Sequence, residues 1–327
     1  MGKTTIEWCT HVWNPVTGCT KVSPGCKNCY AERLSKRFGK DFSKVELQPD
    51  RLDQPLHWRK PRRIFVNSMS DLFHEAVPEE FIDRVFGVMS LADRHTFQIL
   101  TKRPERMRDW MSPDRLVEVN RHHEETVLRS GKRQEIWDLN RRKDAWSPSV
   151  RNWPLPNVWL GVSVEDQKSA DERIPLLLET PAAVRFVSYE PALGSVDFAE
   201  WLAASTPLRS GLGWIIAGGE SGPNARPSHP DWFRSVRDQC VAAGVPYFFK
   251  RWGEWTSQSV DGRADLESTH VICPCGQYFA KGESAITREH VGSATHPKGG
   301  WYAIRRVGKK AAGRLLDGRE WDEYPNR

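Results

Sequence analysis

Residues Val158–Val164 read VWLGVSV. The run is nearly all apolar, as expected of a strand buried on both faces in a parallel sheet. Similar runs recur along the chain: THVWNPV from Thr10, RIFVNSM from Arg63, TFQILTK from Thr96, VRFVSYE from Val184, WIIAGGE from Trp214 and PYFFKRW from Pro246. Helical patterns lie between them. PEEFIDRVFGVMSLA opens on Pro78 and acidic residues, a good helix start, and HPDWFRSVRDQCVAAG closes on Gly244, a natural C-terminal cap. Alternating strand and helix predicts an α/β fold with right-handed crossovers. With about six or seven units, and no glycine-rich phosphate turn after the first strand, the pattern predicts a partial (β/α) barrel of parallel strands.

Two segments break this rhythm. Residues 113–153 read as a charged helical insertion in a core of residues 1–255. Residues 256–300 form a polar insertion, and residues 301–327 read as a basic helix and tail.

The chain has 327 residues, 39% hydrophobic and 28% charged, an ordinary balance for a globular protein with a sizeable core. Fifteen tryptophans are many, and most are expected in the core or in pocket walls. No apolar run is long enough to span a membrane, and MGKTTIEWCTHVWNP lacks an apolar signal core. The expected location is therefore a reducing cytoplasm, where clustered cysteines read as metal or redox ligands before disulfides. A net charge of +6 permits a nucleic-acid or nucleotide partner without requiring one.

Directly after the first strand, GCTKVSPGCKNCYAE places Cys19, Cys26 and Cys29 in a C-x6-C-x2-C spacing. Pro15, Gly18, Pro24 and Gly25 make the loop rich in turns. Three thiolates suit an iron–sulfur cluster with one iron left without a protein ligand, or a zinc with an open position. A zinc knuckle completed by Cys9 or a distant histidine is the alternative. The place favours chemistry, because barrel folds carry their sites at the C-terminal ends of the strands.

Seven stretches together resemble a known family: WNPVTGCTKVSPGCKNCYAERL, RIFVNSMSDLFHEAVP, TFQILTKRPERM, NVWLGVSVEDQ, RFVSYEPALGSV, WIIAGGESGPNARPSHPDW and RRVGKKAAGRLLDGREWDEYP. They look like the phage-associated family of gene products thirty-seven and sixty-eight, a domain of unknown function grouped with radical S-adenosylmethionine (SAM) enzymes. The resemblance covers nearly the whole chain apart from the two insertions. It implies a radical SAM-like barrel, a [4Fe–4S] cluster on Cys19, Cys26 and Cys29, and SAM on the open iron. One-electron reduction, by a donor such as a flavodoxin or ferredoxin, then yields a 5′-deoxyadenosyl radical that abstracts a substrate hydrogen. The spacing departs from the commonest radical SAM loop, C-x3-C-x2-C with an aromatic before the last cysteine. Here the first gap is six, Asn28 holds the aromatic's place, and Tyr30 follows Cys29.

In such enzymes the strand ends hold SAM. Asn67, Ser68, Ser70 and Asp71 follow the second strand and become candidates for its amino group. Ser163 and Glu165 share one face at period two, and Ser188, Glu190, Gly218, Gly219, Glu220 and Ser221 end the later strands. Lys102 and Arg103 are candidates for a carboxylate or phosphate of the substrate. Taken singly, each reads equally as a cap, a turn or a solvated charge.

A second cysteine pair lies in HVICPCGQYFAKGESAITREHVGSATHP. Cys273, Cys275, His290 and His296 are candidate ligands for one structural zinc, with His270 nearby; an exposed insertion without metal is the alternative. Cys240 sits in helical apolar periodicity and reads as a core thiol, or else as a hydrogen donor to a radical. Phage association points to a DNA base or a nucleotide as substrate, with Arg305, Arg306, Lys309, Lys310 and Arg314 available to phosphates. The competing functions are a non-catalytic, metal-dependent module that binds nucleic acid or protein, and a radical enzyme acting on a peptide or small metabolite.

Overall fold

The computed structural model describes residues 4–130, 152–202, 211–258, 270–280 and 302–326. In chain order the first nine strands are β1 (His11–Trp13), β2 (Val16–Thr17), β3 (Glu46–Leu47), β4 (Arg63–Val66), β5 (Thr96–Thr101), β6 (Val158–Val164), β7 (Val184–Tyr189), β8 (Trp214–Gly218) and β9 (Tyr247–Arg251). Seven of them form one parallel sheet in the order β1-β4-β5-β6-β7-β8-β9. Apart from the small β2–β3 pair, the order follows the chain, the singly wound arrangement of an incomplete (β/α) barrel. Each of the seven apolar runs supplies one strand. Every residue of β6 is buried, as a strand covered on both faces requires.

The helices are α1 (Tyr30–Arg37), α2 (Glu79–Leu91), α3 (Pro104–Trp110), α4 (Arg115–Ser130), α5 (Gln167–Glu179), α6 (Ala199–Leu202), α7 (Pro230–Ala243) and α8 (Lys309–Ala312). α2 follows Pro78 and buries Phe81, Ile82, Val85, Phe86 and Met89. α7 ends on Gly244 at φ 66°, a left-handed cap that glycine adopts without strain.

The chain divides into two compact units. The first comprises residues 1–22, 31–162 and 175–186. Its strands β1, β4, β5 and β6 pair in parallel, with Phe65, Gln98 and Trp159 in register. The charged segment after residue 113 begins as α4, which packs along α2. Residues 131–151 lie outside the described residues.

The second unit comprises residues 23–30, 163–174 and 187–327. Its strands β10 (Trp255–Gln258), β11 (His270–Ile272), β12 (Tyr278–Phe279) and β13 (Tyr302–Arg306) form an antiparallel sheet in the order β10-β13-β11-β12. The segment expected as a polar insertion and the segment expected as a terminal helix and tail both contribute strands to this sheet. Within the expected basic helix, Tyr302–Arg306 forms a strand, and helix is confined to Lys309–Ala312. Beyond it, Trp321 and Glu323 run along β9: Phe249 N donates to Trp321 O at 2.8 Å, and Glu323 N to Tyr247 O at 3.2 Å.

Cys273 and Cys275 are joined in a disulfide. The turn between them places Gly276 N on Cys273 O and Cys273 N on Gln277 O, and brings the sulfurs together. A disulfide sulfur is not a thiolate ligand, so the expected zinc on Cys273 and Cys275 would require the reduced pair. His290 and His296 lie outside the described residues, and His270 Nδ1 is 2.6 Å from the Tyr278 hydroxyl. Among the described residues no helix is long and apolar enough to cross a membrane.

Candidate cofactor site at the cysteine loop

Cys19, in the first unit, follows β2 on a fixed backbone. Gly18 N donates to Met69 O at 3.1 Å and Cys19 N to Phe42 O at 2.8 Å. The Arg103 guanidinium approaches the Cys19 Sγ at 3.7 Å. Arg103 is 5% exposed and its charge is matched on several sides. It pairs with Asp71 at 3.3 Å and Glu75 at 2.9 Å, and donates to Thr20 Oγ1 at 2.9 Å. Burial works against its charge, but Asp71, Cys19 and Glu75 outweigh burial and hold its pKa above the ordinary value. Asp71 is itself fixed, accepting from Thr101 Oγ1 at 2.7 Å, Lys102 N at 3.0 Å and Phe73 N at 3.0 Å. His74 Nε2 lies 2.8 Å from Thr20 Oγ1 while its Nδ1 accepts from Ala76 N. Burial and the Arg103 charge lower the His74 pKa, so the ring is neutral at pH 7.

Cys26 and Cys29 lie in the second unit, on the turn Pro24–Cys26 and just before α1. Their loop is tied to two buried carboxylates. Ser23 Oγ donates to Glu165 Oε1 at 2.9 Å, and Arg173 holds the other oxygen at 3.1 Å. Gly25 lies so close that a Cβ there would sit 2.3 Å from Glu165 Oε1 and displace that carboxylate. Asn28 donates to Glu220 Oε2 at 2.9 Å and to Asn224 O at 2.7 Å. Arg226 clamps Glu220 through both oxygens and also reaches Pro24 O at 3.0 Å. Burial opposes the Glu220 charge, yet the hydrogen bonds from Arg226 and Asn28 hold its carboxyl below the usual range.

A family model described as a protein of unknown function, DUF5131, matches residues 3–325. The chain belongs to the DUF5131 family. Among solved structures it is similar to mutants of spore photoproduct lyase. A cysteine-to-serine mutant is 8% identical, covering 76% of this chain and 79% of that chain at a TM-score of 0.44. A double mutant with bound AdoMet and dinucleoside spore photoproduct is 9% identical, covering 93% of this chain and 71% of that chain at a TM-score of 0.40. No curated protein matches.

Within this DUF5131 chain the strand-end candidates separate by task. Asp71 and Arg103 join Cys19 in one buried network. Glu165 and Glu220 are taken up in holding the cysteine loop. Asn67, at φ 60°, turns the chain after β4, its Oδ1 3.4 Å from Val16 N. Ser68 Oγ donates to Asn14 Oδ1, and Ser70 Oγ to Val16 O. The Ser163 carbonyl accepts from Arg173 at 2.6 Å. Ser188 Oγ donates to Glu190 Oε2, and Lys250 pairs with Glu190 at 2.9 Å. Gly218 and Gly219 admit protein, since Cβ atoms there would meet Glu190 Oε1 at 2.7 Å and Trp252 O at 2.1 Å. The Lys102 backbone, on Asp71, helps set that carboxylate. Cys240 is fully buried in α7, where burial drives its thiol pKa far up. Sequence reasoning missed Ser23, Asn28, Thr101, Arg173 and Arg226, whose partners are mostly far off in the chain; the one local signal was Asn28 in the place of an aromatic.

Proposed function

We propose that this DUF5131 protein is a radical SAM enzyme with a [4Fe–4S] cluster held by Cys19, Cys26 and Cys29. The supporting observation is the donor set. Three cysteines on one loop after the first sheet strand are half-buried and outside any disulfide. Three thiolates are one short of a closed four-cysteine site and fit a cluster whose fourth iron is left for another ligand. When bound, the cluster and SAM would supply one-electron reductive cleavage and hydrogen abstraction, with electrons from a flavodoxin- or ferredoxin-type donor. The chain's own residues position and polarise. The Arg103 cation stabilises negative charge on the Cys19 sulfur. Asp71 and Glu75 keep that cation in place. Glu165 and Glu220 hold the segment that carries Cys26 and Cys29 through Ser23 and Asn28. The finer assignment, to the phage-associated family, belongs to this proposal and rests on the seven motifs. With it comes the substrate class, a nucleic-acid base or nucleotide.

Anaerobic reconstitution tests the reading. The expected result is about four irons and four sulfides per chain, visible absorbance lost on Cys19→Ala, Cys26→Ala or Cys29→Ala, and SAM cleavage to 5′-deoxyadenosine on reduction. A normal cluster in the triple variant, or intact SAM with the reduced protein, overturns it. Binding to single-stranded DNA that weakens steeply with salt supports the substrate class. Hydrogen exchange into SAM from a peptide or metabolite pool in place of nucleic acid overturns that class alone.

A further inference from the structure

The charged helix α4 is not among the elements that bond to the cysteine loop, yet it carries part of a cluster in which Asp83 and His122 are buried. Glu118 and His122 lie one turn apart on one face of α4, and Asp83 faces them from α2. Their ligand atoms all lie within 4.8 Å of one another. The two helices touch closely: a Cβ on Gly87, one turn after Asp83, would stand 3.1 Å from His123 N. The two backbones that carry the three residues are therefore held against each other at this point.

The second observation is the state of Asp83. It is 2% exposed, and its buried Oδ1 has no hydrogen-bond donor. Arg115 Nε stands 3.5 Å away without the alignment of a hydrogen bond, and its guanidinium is drawn to Glu79. A buried carboxylate oxygen without a donor is costly, and no solvent reaches it here. His122 is 1% exposed and 2.8 Å from Glu125 through Nδ1. A ring that donates from Nδ1 to a carboxylate keeps its Nε2 lone pair for a metal, the usual outer arrangement of a ligating histidine. A cation already stands at that nitrogen. The Arg121 Nη2 lies 2.7 Å from Glu118 Oε2 and 3.2 Å from His122 Nε2, on a side chain 52% exposed and able to swing away.

We propose that Asp83, Glu118 and His122 form a binding site for a first-row divalent cation that pins α4 to α2. Two carboxylate oxygens and one imidazole suit Mn2+, Fe2+, Co2+ or Zn2+, with water completing the shell. The incoming ion displaces Arg121, supplies the missing partner of Asp83 Oδ1, and enters past Glu118, whose side chain is 39% exposed. The inference is independent of the radical reading, because none of these residues belongs to the cysteine loop.

Mn2+ is the probe, since a hard cation avoids thiolates. The full-length protein as purified is titrated with Mn2+, and the six-line signal of the free ion is followed by electron paramagnetic resonance. The expected result is about one Mn2+ bound per chain, weakened more than about tenfold by Asp83→Asn or His122→Gln. Thermal unfolding guards against misfolded variants. Without Mn2+, Asp83→Asn melts no lower than the parent because it loses a buried charge; with Mn2+, only the parent gains. No loss of the free signal at millimolar Mn2+, or equal binding and equal thermal gain in parent and Asp83→Asn, overturns the site.

Discussion

His95 is 1% exposed beside the Trp58 and Phe97 rings, with Nε2 3.1 Å from Pro55 O and Nδ1 without a partner. Burial, aided by the Arg94 charge, pushes its pKa from the ordinary 6.5 down to about 4. The folded value lies below the unfolded one, so the unfolded chain takes up the proton first as pH falls. The contribution of neutral His95 is complete above about pH 6.5 and drains away by about pH 4, a loss of about 3 kcal/mol. Urea unfolding from pH 7 to 4 should show this slope, and His95→Gln should flatten it; equal slopes would remove His95 as the cause. The same scale marks the limit of sequence reading. The grouping of the three cysteines on one loop is legible because their spacing is local. The unpartnered nitrogen of His95 and the acceptor role of Glu165 are not, because each depends on what folding brings alongside.

At the scale of elements, the strands and the helices after Pro78 and before Gly244 were legible. Apolar runs and caps are local signals, and tertiary contacts reinforced them. The supports of the cysteine loop were hidden, since Ser23 lies 142 residues from Glu165 and Asn28 lies 192 from Glu220. Glu165 and Glu220 were expected at the cofactor because polar strand ends face the chemistry in barrels; their bonds to Ser23 and Asn28 are a further role that the sequence did not show. Asn28→Ala should therefore act on the loop alone. It removes the hydrogen bonds to Glu220 and to Asn224 O, of which the one to the charged acceptor alone is worth about 1.5–3 kcal/mol of local stability. Amide exchange over residues 24–30 should accelerate while the global unfolding midpoint barely moves, and a cluster held as proposed above should lose iron faster on dilution. Unchanged exchange would mean that Arg226 alone holds Glu220.

For the molecule as a whole, composition and alternation indicated the α/β class, but not the small antiparallel sheet that joins Trp255–Gln258 to Tyr302–Arg306 across a long stretch of chain. Its strands are short and their pairing non-local, so periodicity alone could not place them. Nor did the spacing of Cys273 and Cys275 separate metal from disulfide, since both chemistries use paired thiols. The backbone bonds from Tyr247 and Phe249 to Glu323 and Trp321 have a consequence for solubility. β9 is the last strand of the parallel sheet, and its outer row of N–H and C=O groups is a template for a strand of another molecule. Trp321 and Glu323 occupy that row, and Asp322, facing Phe248, adds charge to it. Covering that row should oppose edge-to-edge self-association. A chain ending at Arg319 should keep its sheet and yet sediment as growing aggregates at concentrations where the full chain stays dispersed, with the parent behaviour restored when the missing segment is added back in sequence.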